Sequence, residues 1–375
     1  MRAVLGFMST QLIDDIQAAV RSGELILNSD QRRALSNMQT CRTAERGGKI
    51  LACQDCGIKI PIYNPCNQRG CSICYEKRQI EWKIKILTRL VPVSHHHLVF
   101  SIPQIYTDIW LRNKKTVMDG LFACVSKIIK EVGESYGLNL GSVLVFQSQG
   151  RGMSYKPHMH CILTAGGLDE NKNWIDVKTL KCTKLEKRLK ETLHNEIVKK
   201  TVGQFLTVDR HDIDEKEWRV YSTFHEKTGK WIAEYLSHSL AGVVIDMDEG
   251  YIDHKENGTL EIKESHNGKQ ITTILKKTTF LERYLNHIPP ASAVTVRSYG
   301  LYSNKYKKDL EVAYKQFQVQ NEDIEESEKF YERCPVCRGR MVVESEIDIN
   351  KIESIMKIYN LGNGPPQHRQ ILRTA

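Results

Sequence analysis

No apolar run in this 375-residue sequence reaches the roughly 18 residues that a membrane-spanning helix needs. The start, Met1-Arg-Ala-Val-Leu-Gly-Phe-Met8, is too short and too poorly flanked to read as a secretory signal. A cytoplasmic protein is therefore expected. Negative charge is in deficit, with 45 Asp and Glu against 54 Lys and Arg, a net charge of +9. Such an excess favours polyanionic partners. The apolar share of 41% is ordinary, and the length allows one large domain with appendages or two to three domains.

Cysteine, by contrast, is plentiful, at 11 residues. In a reducing compartment, clustered cysteines point to zinc before disulfides. Cys124, Cys161 and Cys182 stand alone and read as small buried or neutral residues. Cys53-Gln-Asp-Cys56-Gly57 and Cys71-Ser-Ile-Cys74 form two knuckles at the spacing of a four-thiolate structural zinc site. Gly57 permits the tight turn that aims backbone amides at the sulfurs. Cys41, Cys66 and the late pair Cys334-Pro-Val-Cys337 are then left over. Either these four form a second zinc site joining the two ends of the chain, or the late knuckle is a separate, incomplete finger. Lys77, Arg78, Lys83 and Lys85, with Lys49, Lys59, Arg69 and Arg89, give this region a basic surface suited to DNA phosphates. A charged, solvated helix after Cys74 would look the same.

The remaining periodicities alternate between strands and helices. Residues 10 to 37 carry Leu12, Ile13, Ile16, Ala19 and Val20 at helical spacing, and Ser29-Asp-Gln opens a second helix. His95 to Ile102 reads as a strand, 107 to 136 as one long helix, and Ser142 to Gln149 as a strand pairing with His158 to Thr164. Further along come a lysine-rich helix over 176 to 200, a strand at Trp218 to Phe224, a helix at Lys227 to Leu240, hairpins over 241 to 277 and a short helix at Thr279 to His287. This alternation predicts an α+β fold, a mixed sheet with helices on one face.

Within it, His158-Met-His160 stands out. A strand's period of two puts both imidazoles on one face, about 7 Å apart, with Met159 and Cys161 on the other. Two such nitrogens can share one metal ion. Gln147, on the partner strand, is positioned to complete the ligand set. His95, His96 and His97 alternate faces and cannot all converge on one ion. On the predicted helix at 227 to 240, Trp231, Tyr235 and His238 share a face.

Taken in order, Cys41-Arg-Thr-Ala, the knuckles with Tyr63-Asn-Pro-Cys66 between them, His97-Leu-Val-Phe-Ser-Ile-Pro103, Pro157-His-Met-His-Cys161, Trp218-Arg-Val-Tyr221, Trp231-Ile-Ala-Glu-Tyr235, His287-Ile-Pro-Pro290, Arg297-Ser-Tyr-Gly300 and Cys334-Pro-Val-Cys337 make a specific set. The set resembles the rolling-circle transposases of insertion sequences, which join a His-hydrophobic-His nuclease domain to a tyrosine helix and are related in mechanism to Helitron and rolling-circle replication proteins. The resemblance implies a largely antiparallel, ferredoxin-like sheet carrying the nuclease over residues 81 to 305. A helical lead-in at 1 to 37 and a zinc ribbon at 38 to 80 would precede it, and a charged region at 306 to 375 would follow. It also implies a nicking and joining enzyme acting on single-stranded DNA or hairpin ends. His158, His160 and Gln147 would hold Mg2+ or Mn2+, Tyr235 would form a 5′-phosphotyrosine link, and zinc would be structural. The implied setting is a bacterial nucleoid, with a homodimer as one assembly. The family usually carries two tyrosines four residues apart, and the first of these positions is Trp231 here; either one tyrosine would serve both strand-transfer steps, or a second would come from another subunit or a site such as Tyr221. The competing readings are a rolling-circle replication initiator and a non-catalytic zinc-ribbon regulator. A zinc deaminase is excluded, since His160 occupies the place of the glutamate it needs.

Overall fold

The computed structural model describes residues 2–104, 106–201, 218–225, 252–254, 258–266, 269–317 and 333–347. In chain order its elements are α1 (Arg2–Arg21), α2 (Ser29–Gln39), β1 (Gly48–Cys53), β2 (Lys59–Tyr63), α3 (Ser72–Leu87), β3 (His95–Ser101), α4 (Tyr106–Arg112), α5 (Lys114–Tyr136), β4 (Asn139–Gln149), β5 (Tyr155–Leu168), β6 (Trp174–Asp176), α6 (Cys182–Thr201), β7 (Arg219–His225), β8 (Ile252–His254), β9 (Thr259–His266), β10 (Lys269–Lys276), α7 (Lys277–His287), β11 (Val296–Gly300), α8 (Lys307–Gln316) and β12 (Met341–Ile347).

The central sheet runs β11-β4-β5-β3-β7, with β6 pairing to the end of β5. Its kernel, β3-α5-β4-β5-α6-β7, is the split βαβ arrangement of ferredoxin-like folds. Every described strand pair in this sheet is antiparallel. The sheet has two different faces because alternate residues differ in kind. Leu98, Phe100, Leu144, Phe146, Met159, Cys161 and Leu163 pack on one side against Val117, Leu121, Val125 and Ile128 of α5 and Leu185 and Leu189 of α6. The other side carries the histidines and a second cluster, in which Val143, Val145 and Ile162 meet Ile86 and Leu90 near the end of α3 and Leu310 of α8. Cys124 and Cys161 are fully buried in the first cluster, as isolated cysteines were expected to be.

Two boundaries differ from the periodicity. The helix expected over 107 to 136 is broken at Asn113, whose φ of -136° and ψ of 52° are not helical, and α5 restarts after it. It ends where Gly137 turns left-handed at φ 67° and its amide reaches the carbonyls of Gly133 and Glu134. The second helix is capped one residue earlier than Ser29. The Asn28 side chain takes the Gln31 amide at 2.9 Å and the Gln31 side chain takes the Asn28 amide at 3.0 Å, a capping box.

The Arg297-Ser-Tyr-Gly300 motif is structural. Arg297 bonds Asp119 at 2.5 Å and lies 4.1 Å from the centre of the Phe122 ring, tying β11 to α5. Gly300 sits at φ 57°, and a Cβ there would run into the carbonyl oxygen of Leu140. Gly300→Ala is therefore expected to destabilise the fold by about 1–3 kcal/mol, measured as a lower urea midpoint at unchanged m-value.

A separate small sheet runs β12-β1-β2. Its β1–β2 hairpin belongs to the early cysteine region, whereas β12 comes from the far end of the chain and pairs with β1 from Gly48↔Ile347 to Cys53↔Met341. The late knuckle is thus no detached finger. The third sheet, β10-β9-β8, matches the expected hairpins over 252 to 276, residues 241 to 251 lying outside the described residues, and packs with α7 against α2.

Candidate metal centres

The cysteines gather in two groups of four, Cys41 with Cys66, Cys71 and Cys74, and Cys53 with Cys56, Cys334 and Cys337. All sulfurs of a group lie within 4.8 Å of one another. This corrects the expected partition, in which Cys53, Cys56, Cys71 and Cys74 shared one zinc and Cys41, Cys66, Cys334 and Cys337 the other. The reason is the hairpin. Cys53 and Cys56 sit at its tip, whereas Cys41 and Cys66 flank its base, where the Arg42 amide bonds the Asn64 carbonyl at 3.2 Å. At about 3.3 Å per strand residue the two ends are roughly 17 Å apart, too far for one ion. The tip is completed by the turn before β12.

The spacings suit zinc. Cys41 and Cys74 sulfurs are 3.5 Å apart, Cys66 and Cys74 3.7 Å, Cys53 and Cys337 3.4 Å, and Cys56 and Cys334 3.6 Å. Tetrahedral Zn–S bonds of about 2.3 Å imply edges of about 3.8 Å, whereas a disulfide brings sulfurs to about 2.05 Å. Backbone amides serve as outer partners, from Cys66 to the Cys41 sulfur at 3.5 Å and from Val336 to the Cys334 sulfur at 3.4 Å. The Cys56 amide holds the Cys53 thiol down to about 7, toward the thiolate that a metal requires.

The basic surface expected here is smaller than its residue count. Arg78 spends its guanidinium on the carbonyls of Cys74, Asn67 and Arg69, at 3.3, 3.2 and 3.1 Å, bracing the first cysteine group. Lys49 pairs with Glu346 at 3.1 Å and Lys59 with Glu344 at 2.5 Å, both across to β12. Lys83 and Lys85 lie along α3, and Lys85 is exposed; Lys77 is on the same helix.

On the second face of the central sheet, His158, His160 and Gln147 converge. The Nε2 atoms of the two histidines are 3.0 Å apart, and Gln147 Oε1 is 3.1 Å from His160 Nε2. The β4–β5 register explains this, because Gln147 stands opposite His158. Ligands at about 2.1 Å around an octahedral ion are separated by about 3.0 Å along an edge. Both separations match such an edge, and among the described residues the buried Gln147 amide nitrogen has no partner. His158 donates Nδ1–H to the Lys156 carbonyl at 2.6 Å, which leaves its Nε2 lone pair pointing into the site. Burial holds His158 down to about 4 and His160 well below the usual imidazole range, so both are neutral near pH 7.

One contributor escaped the sequence reading. His97 Nε2 lies 2.9 Å from His160 Nδ1, with the two rings stacked 5.2 Å apart at 12°. Its neighbours satisfy polar groups instead. His95 bonds the Val93 carbonyl at 2.8 Å and the Tyr302 hydroxyl at 2.9 Å, and His96 bonds the Val177 carbonyl at 2.9 Å. The parity of His97 with Ser101 was readable, but its nearness to His160 required the register between β3 and β5. His287, from the His-Ile-Pro-Pro motif, donates Nε2–H to the Met153 carbonyl at 3.0 Å and receives the Ser148 hydroxyl at 3.0 Å, fixing the turn that leads into the histidine strand.

Tyr235 and Trp231 lie outside the described residues. Tyr221 is on β7, opposite Val99, which is itself opposite His160. It is 58% exposed and shares the histidine face, two strands or about 10 Å from His160 by backbone spacing.

The comparisons with known proteins cover both the zinc module and the central sheet. Residues 141–309 match the family model described as "Putative transposase", and residues 12–102 match the "Transposase zinc-binding domain". The chain is 24% identical over 319 residues to "Putative transposase y4qJ" of Sinorhizobium fredii, covering 77% of this chain and 79% of that one. It is 25% identical over 291 residues to "Transposase for insertion sequence element IS801" of Pseudomonas savastanoi pv. phaseolicola, covering 72% and 70%. It has no significant match among solved structures. The protein is a transposase with a structural zinc module, and DNA is its partner. More narrowly, the two matched segments are domains of IS91-type transposases. Among its described residues, no helix is long and apolar enough to cross a membrane.

Proposed function

We propose that this transposase cuts and rejoins single-stranded DNA at the ends of its element, by rolling-circle transposition, with Tyr235 as nucleophile and a divalent cation held by His158, His160 and Gln147. The observation that carries the reading is the convergence of two neutral imidazole nitrogens and one amide oxygen at octahedral-edge spacing. The cation, Mg2+ or Mn2+, would act as a Lewis acid on the scissile phosphate.

The chemistry balances without a nucleotide cofactor. The Tyr235 phenol oxygen attacks phosphorus, the bond from phosphorus to the 3′ oxygen breaks, the phenol proton leaves to solvent, and the departing 3′ oxygen takes up a proton. One phosphodiester is exchanged for another, so a later attack by a 3′-hydroxyl on the tyrosyl phosphate regenerates the free tyrosine. The residues of the chain itself orient this exchange: the Lys156 carbonyl fixes the ring of His158, and β4 delivers Gln147 from the neighbouring strand.

His160→Ala is expected to lower nicking of a single-stranded end substrate by on the order of 10^2–10^3, and EDTA to lower wild-type nicking to the same floor. Full activity of the variant, or of the wild type in EDTA, would refute the metal assignment. Equal cutting of single- and double-stranded substrates would refute the substrate assignment.

A further inference from the structure

The contact between His97 and His160 lies outside the three-residue metal set, and its hydrogen-bond logic is specific. Because the Lys156 carbonyl can only accept, the proton of neutral His158 is on Nδ1, and its Nε2 is a lone pair. With no ion between them, a 3.0 Å contact of the two Nε2 atoms would need a proton on His160 Nε2, which Gln147 Oε1 at 3.1 Å could also receive. With Nε2 protonated, His160 Nδ1 is an acceptor, and the atom facing it at 2.9 Å is His97 Nε2. Without an ion, His97 would therefore donate to His160. Ligation through His160 Nε2 requires the opposite tautomer, with the proton on Nδ1, and Nδ1–H then requires an acceptor at the same place.

We infer that His97 is the positioning residue of this site: it holds the plane of the His160 ring and serves as donor to one tautomer and acceptor to the other. The exchange balances. The Nε2 proton of His160 leaves to solvent, the proton on His97 Nε2 passes to His160 Nδ1, and His97 Nδ1 takes up a proton, so both rings stay neutral. An imidazole can do both jobs without moving, whereas an ammonium only donates and a carboxylate only accepts. The site is prepared for this by the fold. His97 and His160 lie on the same sheet face on adjacent strands, β3 and β5, offset by two residues in register, and the rings stack nearly parallel at 12°. His97 is 9% exposed, so water competes poorly for the bond.

The inference rests on His158, His160 and Gln147 being the cation ligands, and two measurements separate the two ideas. Mn2+ binding to the full chain is read from the electron paramagnetic resonance of free Mn2+ for wild type, His97→Met and His97→Gln, with zinc sites filled and thermal melts recorded alongside. Met has similar bulk and no hydrogen bond; Gln offers both a donor and an acceptor. Loss of this partner is expected to weaken Mn2+ binding by about 10–100-fold in His97→Met, with His97→Gln close to wild type and the melting temperatures alike. Unweakened binding by His97→Met, or an equal loss in His97→Gln, would overturn the inference. The second readout is the nitrogen-15 NMR spectrum of His160 without metal, where wild type and His97→Gln should carry the proton on Nε2 and His97→Met a mixture of tautomers. Wild type that binds no Mn2+ yet gives this pattern would fault the ligand set and leave the positioning role standing; one tautomer in all three proteins would overturn it.

Discussion

Replacing Cys334 and Cys337 with serine is expected to reduce the zinc content from two ions per chain to one and to release the end of the chain from β1. The second cysteine group is built half from the tip of the early hairpin and half from the turn before β12. Little else can hold that segment. Among its residues Cys334, Met341 and Ile347 are the buried apolar side chains, each worth about 1.5–3 kcal/mol. Ordering costs about 1–2 kcal/mol for every residue of 333–347. The surface pairs of Lys49 with Glu346 and Lys59 with Glu344 add at most about 1 kcal/mol each. A structural zinc ion, with an apparent binding energy of about 10–16 kcal/mol, is a contribution of the size needed to offset that deficit. Limited proteolysis of the double variant should cleave within 333–347 while the central sheet stays resistant. Elemental analysis that still finds two zinc ions in the variant, or only one in the wild type, would refute the site. Cys71→Ser should act differently, because the first group sits in a core shared with α2 and α7, and general loss of soluble protein is expected.

The second large effect concerns Tyr235. Tyr235→Phe is expected to abolish covalent protein–DNA adducts while leaving single-strand binding within about twofold, since the change removes one hydroxyl and keeps the ring. The same experiment addresses Trp231, which stands at the place where the resemblance implies a second tyrosine. Tyr221 is the exposed tyrosine on the histidine face among the described residues. If it accepts a strand in a later step, Tyr221→Phe will leave the first adduct intact and block only joining. Adducts that persist in Tyr235→Phe would contradict the nucleophile assignment.

How much of this was legible in the sequence depends on whether the information was local. Period two alone put His158 and His160 on one face and Met159 and Cys161 in the core, because strand geometry needs no partner to be read. Gln147 followed from the short hairpin between β4 and β5, whose turn limits the register to a few choices. His97 did not follow, since β3 reaches β5 only after a long crossover and its register is set by tertiary packing. The zinc partition failed for the same reason. Cysteine spacing counts residues along the chain, whereas the β1–β2 hairpin separates Cys53 and Cys56 from Cys71 and Cys74 in space and brings Cys334 and Cys337 in from nearly 280 residues away. Arg78 was misjudged through charge alone. A guanidinium beside a knuckle can serve phosphates or carbonyls, and only the bonds to Cys74, Asn67 and Arg69 decide between them.

The central claim is that a cation on the histidine face and a tyrosine exchange phosphodiesters on single-stranded DNA. Mass spectrometry of the full chain, after incubation with Mn2+ and a single-stranded oligonucleotide from its element's end, tests this most directly. One peptide, containing Tyr235, is expected to carry the 5′-phosphate end of the cleaved strand, present with metal and lost in EDTA and in His160→Ala. Cleavage with no protein-linked product, or an adduct formed equally well in EDTA, would contradict it.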